Sequence, residues 1–413
     1  MLCCGTADEA GSAKGEKSEL ISGGDDAPRR RVTVLGATAI LGTFSTTSSN
    51  VMYPWTYGRL GMALGPLLGL VLQGLMLLLS IVVSRVAIEL RCATFGELGE
   101  ALAGRWGGLL LRGTQALNNA LFMPVALILS AEALRTIGLT IYGCIDSNGA
   151  EVAVSSACEW LECNVNTVLC LIGLAWPVLL IARDVGHLGF VSILSVGLIV
   201  VQTLIIIIYT AYVPPTGMTI EAYSWFGASD SPAWQDEISA IGTFLYSFCP
   251  MFLAVEVAAS MQEPQKISQA LTYSFLFNQA MYIPVGIIVV ALWGGAVTNP
   301  VTNNISSGAS AIITNAILLF CTFLDYAIVG ALLNRELQQS LFPKFDRNCT
   351  WHNLPIWMLL TLPSLAFSLL LALFIPKLDA LKGLLTAFCV PSAMLFGPAG
   401  LLLYRLYSMP ISA

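Results

Sequence analysis

The chain has 413 residues, of which 56% are hydrophobic and 11% charged, and a formal net charge of −6. Its mean hydropathy is +0.77. Soluble domains carry about 25% charged residues, so this composition excludes an ordinary globular protein and asks for lipid as solvent.

Residues 1–31 are rich in Gly, Ser and charge with no apolar period, which predicts a disordered cytosolic tail. No secretory signal peptide is expected, since the basic n-region, short apolar core and cleavage site are missing. Cys3 and Cys4 are candidate S-acylation sites. The stretch EKSELI, Glu16 to Ile21, looks like an acidic dileucine sorting signal for endosomal, lysosomal or vacuolar membranes.

Beyond the tail, about 20 apolar residues suffice to cross the hydrocarbon core as a helix. Ten stretches qualify, near 33–56, 62–84, 111–134, 166–183, 188–212, 238–259, 270–296, 309–334, 354–375 and 383–404. They predict one transmembrane domain over 32–405, with 406–413 as a short cytosolic C-terminus. Arg29, Arg30, Arg31, Arg85, Arg91, Arg105, Arg112, Arg183, Lys266, Arg335, Lys344, Arg347 and Arg405 then share one side. Arg59, Arg135, Lys377 and Lys382 face the other. The positive-inside pattern places the first group, and both termini, in the cytosol.

Between spans 2 and 3, residues 85–110 are too charged to cross and predict an amphipathic surface helix. The long outer loop 139–165 holds Cys144, Cys158 and Cys163, two of which an oxidising compartment could pair, free thiols being the alternative. The sequon Asn304-Ile305-Ser306 falls in an outer loop, where glycosylation is expected; Asn348-Cys349-Thr350 falls inside.

The stretch GTFSTTSSNVMYPW, Gly42 to Trp55, puts six consecutive hydroxyl or amide side chains into span 1 ahead of Pro54. Unpaired backbone is costly in hydrocarbon, so a spanning helix unwinds only where protein or water satisfies it again. Span 6 has a counterpart in GTFLYSFCPMF, with Pro250 after Ser247 and Cys249. Interrupted helices at matching places in two halves point to a secondary transporter's binding site. The plain alternative is that small hydroxyls merely pack helix against helix.

Charges deep in spans are costly and mark functional sites by default. Glu256 in span 6 and Asp325 in span 8 qualify. Burial favours a carboxylate's protonated form, so either can carry a proton, or serve only as a structural partner. Glu132 and Arg135 read as an interfacial pair, and at least one of Asn118 and Asn119 should face other helices. His187 and His352, the only histidines, fall in inner loops, and no phosphate-binding G-x-x-x-x-G-K-[ST] loop is present. An ATP-driven pump or an intramembrane metalloenzyme is not expected, and the chain is not read as an enzyme.

Several segments in order resemble the amino acid/auxin permease family. TSSNVMYPWTYGRLGMALG is similar to that family's broken first helix and the start of its second span. TFGELGEALAGRWG resembles its YxELAxxAFGxxG segment, and LLIARDVGHLGFVSILSVG its junction of spans 4 and 5. FLYSFCPMFLAVEVAASMQEPQKISQAL is similar to its sixth span and following loop, and TFLDYAIVGALLNREL to its eighth. The similarity covers roughly residues 35–400.

The resemblance implies an all-α, LeuT-type fold of 5+5 inverted repeats with ten transmembrane helices. It also implies secondary active transport of amino acids, coupled to protons or sodium, by alternating access around broken helices 1 and 6. The unwound turn would run from Thr47 to Met52. Candidate substrate-binding residues are Thr47, Ser48, Ser49, Asn50 and Val51 with Ser247, Phe248 and Cys249. Candidate ion-coupling residues are Thr43, Glu256 and Asp325. Three departures stand out. Thr47 and Ser49 occupy places usually held by glycine, Asp325 one usually held by threonine, and a common eleventh span is missing. No cofactor or metal is expected beyond the coupling H+ or Na+. The partners are an amino acid and the lipid bilayer, with no nucleic acid. The membrane would be the plasma membrane or a vacuolar or lysosomal one. The other class of function compatible with these residues is an amino-acid-sensing receptor that keeps the fold without coupled flux.

Overall fold

The computed structural model describes residues 32–144, 188–213, 234–248, 250–294, 297–305, 308–342 and 354–375, with short pieces at 158, 160, 175–180, 224–226, 399, 400 and 403. The tail with its sorting signal, Cys3 and Cys4, Cys163, Cys249, both histidines, the Asn348 sequon and the C-terminus lie outside the described residues. So do most of predicted spans 4 and 10.

The described residues are helical almost throughout. In chain order they are α1 (Val34–Asn50), α2 (Tyr53–Leu60), α3 (Leu64–Glu89), α4 (Phe95–Ile141), α5 (Gly189–Tyr212), α6 (Trp234–Ser247), α7 (Met251–Ser260), α8 (Ile267–Trp293), α9 (Gly308–Leu341) and α10 (Leu354–Phe374). Among the described residues six stretches, containing α3, α4, α5, α8, α9 and α10, are each long and apolar enough to cross a membrane. Only 33% of the most apolar window is buried in α3 and α5, against 78% in α9. Since lipid is as apolar as a core, α3 and α5 present outer faces while α9 is a central helix. α9 packs on α4, α5, α1 and α10.

Predicted spans 1 and 6 are each divided in two, α1 with α2 and α6 with α7, and the pieces meet: α1 packs on α6 and α7, and α2 on α6. Two contacts tie them to their surroundings. At the end bearing Arg112 and Arg335, here the basic end, Val32 N donates to Ser260 O (2.9 Å) and Gln262 N to Val32 O (3.0 Å). That bridge joins the start of α1 to the end of α7. At the far end Gly61 follows α2 with φ +92°, and a Cβ there would lie 2.6 Å from Trp225 O. Only glycine fits this turn.

The helix expected between spans 2 and 3 over 85–110 is present but shorter, filling 95–102. α3 runs to Glu89, a turn follows, and α4 starts at Phe95. Thr94 Oγ1 caps the helix by accepting from Glu97 N (3.2 Å), while Glu97 Oε2 reaches back to accept from Ala93 N (2.7 Å), one residue before the cap. α4 then kinks at Ala103 and Gly104 (φ 67°). A Cβ on Gly99 would stand 2.3 Å from Gly107 O, so the two limbs pack backbone to backbone. The charges in this segment therefore belong to a helix end, a cap and a corner. At the far end a disulfide joins Cys144 and Cys158, with Cα atoms 5.7 Å apart.

Candidate functional site

The polar run on α1 satisfies itself first. Serine and threonine in a helix can donate to the carbonyl four residues back. Ser45 Oγ does so to Leu41 O (2.9 Å), Thr46 Oγ1 to Gly42 O (2.7 Å) and Thr47 Oγ1 to Thr43 O (2.8 Å). Helix α1 consequently persists through Asn50, and the unwound turn expected from Thr47 to Met52 is corrected to two residues. Val51 and Met52 keep right-handed backbone (φ −82°, ψ −10°; φ −98°, ψ −24°). Pro54 supplies the reason, since it has no N–H for the carbonyl of Asn50. Val51 O instead accepts from Val301 N at 2.8 Å, on the loop after α8.

The same run also reaches three neighbouring helices. Thr43 Oγ1 donates to Ser192 O (3.1 Å) and Asn50 Nδ2 to Thr203 Oγ1 (2.8 Å), both on α5. Ser48 Oγ pairs with Tyr246 OH on α6 (3.2 Å), and Thr46 Oγ1 lies 2.5 Å from Asn278 Oδ1 on α8. At the break Ser49 Oγ is buried against the Tyr282 hydroxyl, and Asn50 Oδ1 is buried without a hydrogen-bond partner among the described residues.

The second interruption lies opposite. Ser247 ends α6, Phe248 is fully buried, and Pro250 caps α7. Ser247 Oγ sits between Thr243 O and Tyr53 OH. Gln73 of α3 donates to Tyr53 OH and in turn accepts from Gln279 of α8. Tyr282 of α8 donates to Ser45 O (2.5 Å) and stands 3.4 Å from Ser247 O, so one hydroxyl touches both broken helices. Its ring stacks on Tyr53 (centroids 4.0 Å apart). Phe122 of α4 is stacked between Phe44 (5.1 Å) and Tyr246 (5.2 Å). Tyr57 fits between Gly65 and Gly286, where a Cβ would meet its ring at 2.7 and 2.3 Å.

The two buried carboxylates have different surroundings. Glu256, on α7, is 1% exposed and lies 3.3 Å from Arg335 NH1 of α9, with Gln115 Nε2 of α4 at 3.4 Å. Beside it Arg112 pairs with Glu336 (3.3 Å). Asp325, on α9 and 1% exposed, has neither oxygen hydrogen-bonded among the described residues. The Thr47 hydroxyl lies against it but gives its proton to Thr43 O. Cys321, one turn earlier, accepts from Ser195 Oγ of α5 (3.0 Å). Helices α1 and α9 thus enclose one carboxylate whose charge no side chain offsets among the described residues, with Thr47 against it and Cys321 and Tyr282 nearby. An acid so placed favours a proton or a small cation.

Thr47 and Asp325 are brought together, with Thr43 bonded to Thr47 one turn earlier; Ser48, Ser49, Asn50, Val51, Ser247 and Phe248 lie at the two interruptions; Glu256 belongs to the ion pairs at the basic end. Cys249 lies outside the described residues. Gln73, Asn278, Gln279 and Tyr282 were not singled out from sequence. For the three amides a signal existed, uncharged polar side chains inside apolar spans; a tyrosine carries none.

Two interrupted helices facing each other inside a helical membrane domain define a transporter-type fold of the LeuT class. Consistently, the structure is similar to that of MhsT in complex with L-phenylalanine, with a TM-score of 0.58, 13% sequence identity, and coverage of 92% of this chain and 99% of that one. The profile of the transmembrane amino acid transporter protein family matches residues 31–412, and the chain belongs to that family. A search of curated proteins finds no significant match.

Proposed function

We propose that the protein is a secondary active transporter that moves an amino acid by alternating access around α1–α2 and α6–α7. The observation that carries this reading is the pair of interruptions packed on each other, with Asn50 Oδ1 buried at one of them without a partner among the described residues and the buried Asp325 against Thr47 of the same helix. The substrate's ammonium and carboxylate would bond to groups at the two breaks, and the aromatic stack around Phe122 would bound its side chain. A proton or sodium ion would engage Asp325 with Thr47 and Thr43. We favour the proton, because Asp325 is a titratable group where the resembling family usually has a neutral one. The basic end would face the cytosol, in the plasma membrane or a vacuolar or lysosomal membrane.

The test is uptake of each of the twenty labelled amino acids into proteoliposomes, at two external pH values, with and without sodium. Concentrative uptake of a subset, stimulated by external acid, is the expected result. No uptake under any gradient would overturn the proposal.

A further inference from the structure

Asn118 and Asn119 play no part in the site above, yet all four of their side-chain polar atoms are buried without a hydrogen-bond partner among the described residues, as is Gln115 Oε1. All three residues are fully buried. Buried amides in native proteins are satisfied by protein or by ordered water, and leaving several unpaired in one place is strongly unfavourable. Their spacing gives the pattern meaning. Gln115, Asn118, Asn119 and Phe122 stand at i, i+3, i+4 and i+7 on α4, and so share one face of the helix. At one end of this stripe Gln115 reaches Glu256, which pairs with Arg335 at the basic end. At the other, Phe122 stacks between Phe44 of α1 and Tyr246 of α6 beside the interruptions.

We propose that this face of α4 holds a file of water running from the aromatic stack to the Glu256–Arg335 pair. Water is the occupant that fits: each amide offers donors and an acceptor, with no net charge to attract an ion. The file forms a polar passage between the central site and the basic end. Phe122 closes it at the centre, and the Glu256–Arg335 pair closes it at the basic end. Only its use as a release route rests on the transport reading; the water itself does not.

Radiolytic hydroxyl-radical labelling of the full chain in lipid nanodiscs tests this. Met123 is fully buried and lies one turn from Asn119, so only internal water can deliver radicals to its sulfur. The wild type should label Met123, and the Asn118→Leu/Asn119→Leu variant should label it several-fold less while melting at the same temperature or higher. Asn119→Ser keeps a polar atom and should retain labelling, which preserves the test if the double variant fails to fold. A wild-type Met123 labelled no faster than in the double variant would show the amides to be dry and overturn the proposal. In proteoliposomes the double variant should also take up the labelled amino acid mixture several-fold more slowly. If the wild type takes up none, that arm fails with the transport reading, while the labelling still decides whether the file exists.

Discussion

The backbone N–H of Val301 donates to the carbonyl of Val51, 2.8 Å away, at the interruption between α1 and α2. The loop carrying Val301 is braced by Asn304, whose Oδ1 accepts from Thr298 N (2.8 Å) and Oγ1 (2.6 Å). A loop so held caps the broken helix. Hydrogen exchange should find the Val301 amide protected in the wild type, as the contact requires. Asn304→Ala removes the brace and should speed that exchange several-fold. Equal rates in both proteins would mean that the loop does not depend on Asn304.

Tyr282→Phe keeps the ring on Tyr53 and deletes only the hydroxyl that meets Ser45 O and Ser247 O. A lost hydrogen bond of this kind costs about 0.5–1.5 kcal/mol, so the variant should fold with a small drop in stability. Its effect on transport should be larger than its effect on melting, since the two broken helices lose their shared tie. A normal uptake rate in a correctly folded Tyr282→Phe protein would remove the tie from the mechanism.

Arg335→Gln leaves the Glu256 carboxylate buried without that cation. Breaking one side of a buried pair costs about 3–5 kcal/mol, whereas neutralising both partners costs far less. Arg335→Gln should therefore lower the melting temperature markedly, and Arg335→Gln/Glu256→Gln should recover most of the loss. Additive losses in the double variant would show the pair to be energetically idle.

Asp325→Asn mimics the protonated acid. With proton coupling it should abolish accumulation driven by an external acid pulse yet leave exchange of amino acid intact. With sodium coupling it should instead lose sodium dependence at fixed pH. A buried, uncompensated carboxylate is unfavourable in hydrocarbon by about 2.5–3.5 kcal/mol on insertion scales, so the variant should melt no lower than wild type. Unchanged accumulation and ion dependence would leave Asp325 a structural residue.

The parts of this protein written in covalent chemistry were legible before any coordinates. Pro54 and Pro250 mark both interruptions because a residue without an N–H cannot continue a helix ladder. Asp325 and Glu256 stood out as charges in apolar spans. Their difference did not, because it depends on Arg335, which α9 brings to Glu256 and not to Asp325. The extent of the break was overestimated for a related reason. Thr46 and Thr47 bond to their own helix, a choice the residue names leave open. Tyr282 was invisible, since its role arises only where α8 passes both broken helices. The helix between spans 2 and 3 is legible in the charges over 85–110, but not its short extent, because the end of α3, a capped turn and the kink at Ala103 and Gly104 resemble it in composition.

Counterflow tests the central claim most directly. Proteoliposomes are loaded with an excess of unlabelled amino acids, diluted into a trace of the labelled mixture, and sampled over time. A transporter should draw labelled amino acid inside transiently above its equilibrium level, without any ion gradient. Saturable binding of label to the protein with no entry into the lumen would contradict the account and identify a sensor.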